Sequence, residues 1–555
     1  MIRVARAGSE LGEFSSADVQ AGLQSGRFQY SDYYCEQGDS EWLPLSLYIP
    51  EVKKKITTHK KVQFKPTDEQ EAICANLPGP GELMLINAYA GSGKTETLRL
   101  IAERHPDVKF TYLCYNRDTA EKAKRRFPKN TRCSTIHSLA HGAIGRYYKQ
   151  DFRMPTAKEV MRKFEIKKPY VAVMAVEGVV RYCNSSEPKI CESHYGRDER
   201  HRVKIFEKYP DLILISEAIW QEMINPASQF PISHDAYLKL WSLKSPSIPG
   251  EVILHDESQD MNPVTLGILS GQKAKLNPGL VIVGDSHQAI YAWRGAVNSM
   301  ESLRSTAKCR FNLTTSFRFG QDIADNASKV LQRLKRDPVR IIGAGPTKSD
   351  LPDKVFIARK NSSLIGMAIF SIKTEPELRF HFAGTRAAEN WDPYYLYELQ
   401  KPLDLLNLFK GRPELVVLEQ MKKFESFEEV VALTQGDDEG DGVDRELEWY
   451  IEQLLKKYGD ELPDLIDAIR ARSVSPEQAN LSFSTAHRSK GLEWKNVVMM
   501  DDFDVNYQLE HERLELHSEE EIQEVNALYV AMTRASSTID YGKELSKWLN
   551  SKNLI

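Results

Sequence analysis

An apolar run, Leu83-Met84-Leu85-Ile86, leads into Ala88-Tyr89-Ala90-Gly91-Ser92-Gly93-Lys94-Thr95 and then into the helix-like Glu96-Thr97-Leu98-Arg99-Leu100. Strand, glycine-rich loop, Lys-Thr and helix in that order commit this part of the chain to an α/β layer and a phosphate loop. Successive backbone N–H groups and the positive end of the helix surround a β-phosphate. Lys94 bridges β and γ oxygens, and Thr95 reaches a magnesium ion. The nucleotide-holding set is expected to be Ala90, Gly91, Ser92, Gly93, Lys94, Thr95 and Glu96. The usual pattern has glycine at position 88, where this chain has alanine. A degenerate loop that binds a nucleoside triphosphate without hydrolysing it fits the same residues.

A second motif argues for hydrolysis. Glu251-Val252-Ile253-Leu254-His255 reads as a buried strand ending in Asp256-Glu257-Ser258-Gln259-Asp260. A carboxylate at a strand end beside a phosphate loop can hold magnesium, here Asp256 together with Thr95. The adjacent Glu257 is placed to polarise the attacking water as a general base. The plain alternative is a solvated acidic turn.

Composition sets limits. With 555 residues the chain is long enough for several domains, and its 41% apolar and 27% charged residues carry no signature of disorder. A net charge of −4 gives no global attraction to nucleic acid, so any such binding must come from local basic surface. No apolar run approaches a bilayer span, so no membrane association is expected and a cytoplasmic location is. Seven scattered cysteines fit reduced thiols better than a disulfide framework. Cys183, Cys191, His194 and His201 could supply four zinc ligands, but the gap between the cysteines is unlike a structural zinc pair. The acidic stretch Asp437-Asp438-Glu439-Gly440-Asp441 lacks the alternation of a calcium loop and reads as a solvated loop.

Along the chain, residues 1–50 read as a separate small module rich in aromatics, followed by a basic linker over 51–63. Two long helix-rich stretches, 140–250 and 362–480, separate the motif clusters and are too long to be structureless loops.

Three further motifs follow in fixed order. They are Gly284-Asp285-Ser286-His287-Gln288-Ala289-Ile290-Tyr291-Ala292-Trp293-Arg294-Gly295-Ala296, Thr485-Ala486-His487-Arg488-Ser489-Lys490-Gly491-Leu492-Glu493-Trp494, and Leu528-Tyr529-Val530-Ala531-Met532-Thr533-Arg534-Ala535. They resemble motifs III, V and VI of the UvrD/Rep-type helicases of superfamily 1, and the resemblance covers about residues 64–545. Tyr112-Leu113-Cys114-Tyr115-Asn116-Arg117, Thr135-Ile136-His137-Ser138-Leu139-Ala140, Gly142-Ala143-Ile144-Gly145-Arg146 and Asp501-Asp502-Phe503 make the chain most similar to the F-box DNA helicase branch, although no F-box is apparent. Instead, Gly8, Leu11-Gly12, Phe14, Ser25-Gly26-Arg27 and Glu41-Trp42 resemble a bacterial GYF-like module.

The resemblance implies an α/β fold with two RecA-like parallel-sheet motor domains, each carrying a largely helical insertion, plus a small N-terminal α+β GYF-like module. The first motor domain is expected over 64–139 and 251–310 with insertion 140–250, and the second over 311–361 and 481–555 with insertion 362–480. It implies ATP and Mg2+ as cofactors, Gln70 reading adenine, Phe317 stacking on it where the family usually has tyrosine, and Glu493 meeting the ribose. Arg318 and Arg534 of the second domain are expected to clamp the γ-phosphate against Lys94, Asp256 and Glu257 of the first. Gln288 is expected to couple that phosphate to the DNA site. Asn116, His137, Tyr291, Trp293, Arg294 and His487 resemble residues lining a single-stranded DNA channel, with Tyr291 and Trp293 as base-stacking candidates.

The expected activity is a 3′–5′ DNA helicase or translocase acting on single-stranded DNA and on single-strand/duplex junctions. The short second insertion favours translocation and protein displacement over unwinding. The alternative is a DNA-gated ATPase switch whose residues 1–50 recruit a protein partner, such as a nuclease in antiviral defence. Trp42, Tyr33 and Tyr34 are candidates for binding a proline-rich peptide there, and equally for a small core.

Overall fold

The computed structural model describes residues 65–555 except 197–198, 275, 292–297, 346–353, 384–392, 419, 423, 436–444 and 504–517. Within the first 64 residues it describes 2–6, 9–15, 18–19, 27–28, 33–36 and 43–44. Residues Met1–Pro66 form one compact unit and Thr67–Ile555 a second.

In the first unit, β1 (Ile2–Arg6), β2 (Ser9–Phe14), β3 (Tyr33–Glu36) and β4 (Leu43–Pro44) form an antiparallel sheet in the order β2-β1-β3-β4. Ile2, Val4, Val19 and Phe28 are buried together, with Phe14 packed on them. Gly8, Ser25, Gly26, Glu41 and Trp42, and the linker over 51–63, lie outside the described residues.

The second unit holds both expected parallel sheets. The first contains β5 (Leu83–Ala88), β6 (Phe110–Leu113), β7 (Thr131–Ser134), β8 (Val252–His255), β9 (Gly279–Gly284) and β10 (Cys309–Leu313), in the order β10-β5-β9-β8-β6-β7. Its central strands are nearly continuous apolar runs because helices cover both faces. The pleat divides β5 between two cores: Leu83 and Leu85 face one, Met84, Ile86 and Ala88 the other. The first of these cores runs on without a break into the helical insertion between β7 and β8, through Tyr182, Trp220, Leu238 and Trp241. The insertion is therefore rooted in the sheet it interrupts. Each fully buried aliphatic side chain there contributes roughly 1.5–3 kcal/mol.

The second sheet contains β13 (Lys354–Ala358), β14 (Phe380–Phe382), β15 (Leu481–Thr485), β16 (Trp494–Met499) and β17 (Ala535–Tyr541), in the order β14-β15-β13-β16-β17. Between the two sheets, β11 (Thr315–Ser316) and β12 (Ile342–Gly343) form a short parallel pair. Val355 and Ile357 of β13 face a core shared with the helices Gln321–Leu334 and Glu519–Met532. Ala358 and Phe483 face a core shared with the second helical insertion.

Two expected boundaries move. β10 pairs along its whole length with β5, from Cys309↔Met84 to Leu313↔Ala88, so the first sheet ends at Leu313 rather than at 310. The second insertion begins later than 362. The buried helix Asn361–Thr374 leads into β14, which pairs with β15 through Phe380↔Leu481 and Phe382↔Phe483, and only then does the chain leave the sheet. No helix among the described residues is long and apolar enough to cross a membrane.

Candidate nucleotide and DNA site

The loop after β5 depends on two left-handed glycines, Gly91 (φ +74°) and Gly93 (φ +79°). A Cβ on Gly91 would lie 2.5 Å from Ser316 Oγ and 2.6 Å from Arg318 Cβ, and the Gly91 carbonyl accepts the Phe317 N–H at 2.9 Å. A Cβ on Gly93 would lie 3.5 Å from Gln70 Nε2 and 3.8 Å from the Phe317 ring. Gly93 directly precedes the helix Lys94–Arg104. Ala88, by contrast, is the last residue of β5, paired with Leu313 and without a positive φ, so alanine fits where the usual pattern has glycine. The Ser92 hydroxyl is buried with no hydrogen-bond partner among the described residues. An unpaired buried donor between two left-handed glycines fits a phosphate oxygen.

Asp256 follows β8 and is 3% exposed. Its Oδ2 accepts from Thr95 Oγ1 at 2.6 Å and from Tyr112 OH at 2.8 Å, and its Oδ1 from the Glu257 N–H at 2.9 Å. Thr95 and Asp256 thus bring together two hard oxygen donors of the kind magnesium takes. Burial raises the Asp256 carboxyl above its ordinary range, and the Glu257 charge adds to this. Glu257 sits at φ +51°, a conformation uncommon for a residue with a side chain. Burial opposes its charge too, but Lys94, then Lys490, a hydrogen bond from Gln259 and Arg534 outweigh it and bring its carboxyl down. Glu257 Oε2 accepts from Gln259 Nε2 at 2.6 Å.

Side chains from the second sheet's half complete the cleft. Lys490 Nζ donates to Asp260 at 2.5 Å and to the Gln288 carbonyl at 2.6 Å. Burial pushes the Asp260 carboxyl up to about 6 despite that pairing. Arg318 Nε donates to Glu493 Oε1 at 2.7 Å, and its Nη1 donates to the Thr533 carbonyl at 2.8 Å. Arg534 is 1% exposed and donates to the Val530 carbonyl at 2.9 Å and to Gln288 Oε1 at 3.3 Å. Burial, then the Arg318 charge, lowers its guanidinium to about 9. Gln288 Nε2 donates to Asp285 Oδ2 at 2.7 Å, which also accepts from Tyr529 OH at 3.2 Å. The Tyr529 oxygen in turn accepts the Ala90 N–H at 3.1 Å.

Besides the Ala90 N–H and Glu493, already paired with Tyr529 and Arg318, the expected nucleotide contacts Glu96 and Gln70 are otherwise engaged. Glu96 accepts from Arg99 Nε and from Arg126 Nη2, each at 3.0 Å. Gln70 is fully buried beside Gly93, but its Oε1 caps the helix Asp68–Cys74 by accepting the Thr67 N–H at 3.1 Å. Its Nε2 donates to Thr97 Oγ1 at 3.0 Å, which leaves one amide hydrogen for a base edge.

Among the expected DNA residues, Tyr291 donates through its hydroxyl to the His487 carbonyl at 3.2 Å, with ring centroids 6.2 Å apart. Lys490 Nζ lies 5.1 Å from the Tyr291 ring centroid, which brings the DNA candidates next to the cleft residues. Asn116 is exposed and caps the helix Arg117–Arg126, accepting the Thr119 N–H at 2.8 Å. His137 Nε2 is 3.0 Å from Asp235 of the first insertion. Trp293 and Arg294 lie outside the described residues.

Sequence reading left Asp285, Tyr529, Lys490 and Asp260 without roles. All four stand inside the quoted motifs; only Tyr529, a polar side chain among Leu528, Val530, Ala531 and Met532, carries a local signal of its own. Cys183, Cys191, His194 and His201 do not converge; among the described residues no group of three or more His, Cys, Asp or Glu could hold a metal ion.

Residues 69–294 match a family model described as an AAA domain, and residues 419–539 match the UvrD-like helicase C-terminal domain. The chain is 29% identical over 520 residues to F-box DNA helicase 1 of Gallus gallus, covering 88% of this chain and 50% of that protein. It is 28% identical over 534 residues to F-box DNA helicase protein 1 of Schizosaccharomyces pombe, covering 87% and 58%. DNA helicase II of Salmonella typhimurium is 24% identical over 262 residues, 41% of this chain and 34% of that one. The chain thus spans about half the length of the first two relatives.

Proposed function

Because the chain belongs to the UvrD/Rep-type superfamily 1 helicases, we propose that it is a DNA-dependent ATPase that steps 3′ to 5′ along single-stranded DNA. The observation that carries the reading is the meeting of Arg318 and Arg534 from one half of the motor with the phosphate loop and Glu257 from the other. Two arginines stabilise charge on a transferring phosphoryl group only while the cleft is closed, so ATP favours closure and its loss favours opening.

Within that cleft the remaining loop amides, the Ser92 hydroxyl and Lys94 hold the phosphates of ATP, while Gln70 and Phe317 flank the adenine. Thr95 and Asp256 would hold magnesium, which supplies charge neutralisation at the phosphates. Glu257 is a depressed carboxylate and stays charged at neutral pH, so it orients the attacking water more than it removes a proton outright. Gln288 joins Arg534 to Asp285 and lies three residues before Tyr291, which gives a short route from the phosphate to a base-stacking aromatic. Asn116, His137, His487, Trp293 and Arg294 complete the proposed DNA track.

ATP hydrolysis with and without single-stranded DNA, for the native chain and Lys94→Ala, tests the reading. Strong stimulation by DNA that vanishes in the variant is expected. Hydrolysis indifferent to DNA would break the proposed link between the sites. Strand displacement from substrates with a 3′ or a 5′ tail then reads polarity, and separates unwinding from translocation alone.

A further inference from the structure

The phosphate loop carries a bulky side chain whose target lies across the cleft. Tyr89 is 2% exposed and packs, with Ala90, in the apolar core built by the second sheet and the helices Gln321–Leu334 and Glu519–Met532. Its hydroxyl donates to Asp337 Oδ2 at 2.7 Å. The same oxygen meets His287 Nε2 at 2.7 Å, and the His287 ring stacks on Tyr89 at 5.8 Å and 20°. A carboxylate accepts only, so the proton of that bond sits on Nε2. Asp337 Oδ1 accepts the Val339 N–H at 3.1 Å, which fixes the carboxylate to its own loop.

One oxygen of the second half therefore holds two separate loops of the first. Tyr89 precedes the phosphate cradle, and His287 precedes Gln288, which meets Arg534. Beside them, Lys335 donates to Asn526, whose amide donates to the Ala289 carbonyl at 2.7 Å, so the far side of the same turn is also tied down. The Asp337 side chain keeps 22% of its surface in water. It can rehydrate when the cleft opens, so these bonds can break and re-form in each cycle at modest cost.

We propose that Asp337 is a positioning residue. Through Tyr89 and His287 it ties the phosphate loop and the Gln288 turn to the second half of the motor and favours the closed cleft in which Arg318 and Arg534 act. The clamp rests on the motor reading above. It acts after ATP has bound, so its loss lowers the closed fraction of the ATP complex and leaves the phosphate ligands in place.

Tyr89→Phe removes only the hydroxyl, and Asp337→Asn keeps the shape while weakening the shared acceptor. At saturating DNA, kcat falls about tenfold in each and the KM for ATP rises no more than about twofold. The double variant is no slower than Asp337→Asn alone, because both changes break one unit. A fluorescent ATP analogue still binds one per chain, which separates the effect from loss of folded protein. Losses that multiply in the double variant, or a kcat near wild type in both single variants, overturn the clamp. If the wild type shows no DNA-stimulated hydrolysis, the motor reading fails instead. Amide exchange over residues 88–93 in the complex with a non-hydrolysable ATP analogue then decides: it quickens in both variants if the clamp exists, and unchanged exchange overturns it.

Discussion

Gln288 Oε1 and the Arg534 guanidinium meet at 3.3 Å, 246 residues apart in sequence and on opposite halves of the second unit. The contact belongs to a chain of polar groups from Arg534 through Gln288, Asp285 and Tyr529 to the Ala90 amide of the phosphate loop. The loop and the arginine opposite it are therefore positioned by the same set of bonds.

Arg534→Ala is expected to cut DNA-stimulated kcat by about a thousandfold, the scale of an arginine finger, with far less effect on ATP binding. Arg534→Lys restores little, because the fork that reaches Val530 and Gln288 together is lost. Steady-state hydrolysis beside equilibrium binding of a fluorescent ATP analogue measures both.

Glu257→Gln keeps the size of the side chain and removes its charge. Hydrolysis should fall by roughly a hundredfold to ten-thousandfold, while ATP-dependent changes in DNA affinity persist. Rapid-quench single-turnover assays distinguish this from a binding defect.

Asp260 is expected to give the proposed hydrolysis an acid limb. With its carboxyl raised to about 6, it is charged and paired with Lys490 at pH 7.5 and loses that pairing as the pH falls through about 6. DNA-stimulated hydrolysis should decline over that interval, and Asp260→Asn should be slow and flat across it. Its contribution to stability runs the other way. The folded state holds a proton that the unfolded state releases from about 4 upward, so this contribution is full below about 4 and is lost as the pH rises to about 6.

Tyr291→Ala should weaken single-stranded DNA binding by about 1–3 kcal/mol, the cost of one lost stacking platform, without altering nucleotide affinity. Tyr291→Phe removes the bond to the His487 carbonyl while keeping the ring, and should cost about 1 kcal/mol or less. Fluorescence anisotropy at a fixed salt concentration reads both.

The sequence carried the phosphate loop, the acidic strand end and the order of the motifs, because each is a short contiguous pattern with its own chemistry. It was weaker wherever one residue has two uses. Thr67-Asp68-Glu69-Gln70 forms a capping box where a base-reading motif was expected, and Asn116 before Arg117 caps a helix where a DNA contact was expected. The helix Asn361–Thr374 and β14 were assigned to an insertion because local pattern cannot say which sheet a strand will join; only the pairing with β15, about a hundred residues on, decides it. Tyr89 and Asp337 are 248 residues apart and carry no motif, so nothing local announced their contact.

The strand order of the first sheet also sets a timetable for synthesis. Among the described residues β5 hydrogen-bonds to β9 and β10 alone, so the strand that bears the phosphate loop leaves the ribosome with neither neighbour yet made. The first helical insertion and β8 come before β9. At about 5–20 residues per second the wait of about 190 residues lasts on the order of 10–40 seconds. For that time Leu83-Met84-Leu85-Ile86 is an apolar strand with both edges open, a segment of the nascent chain that a chaperone's cover would protect.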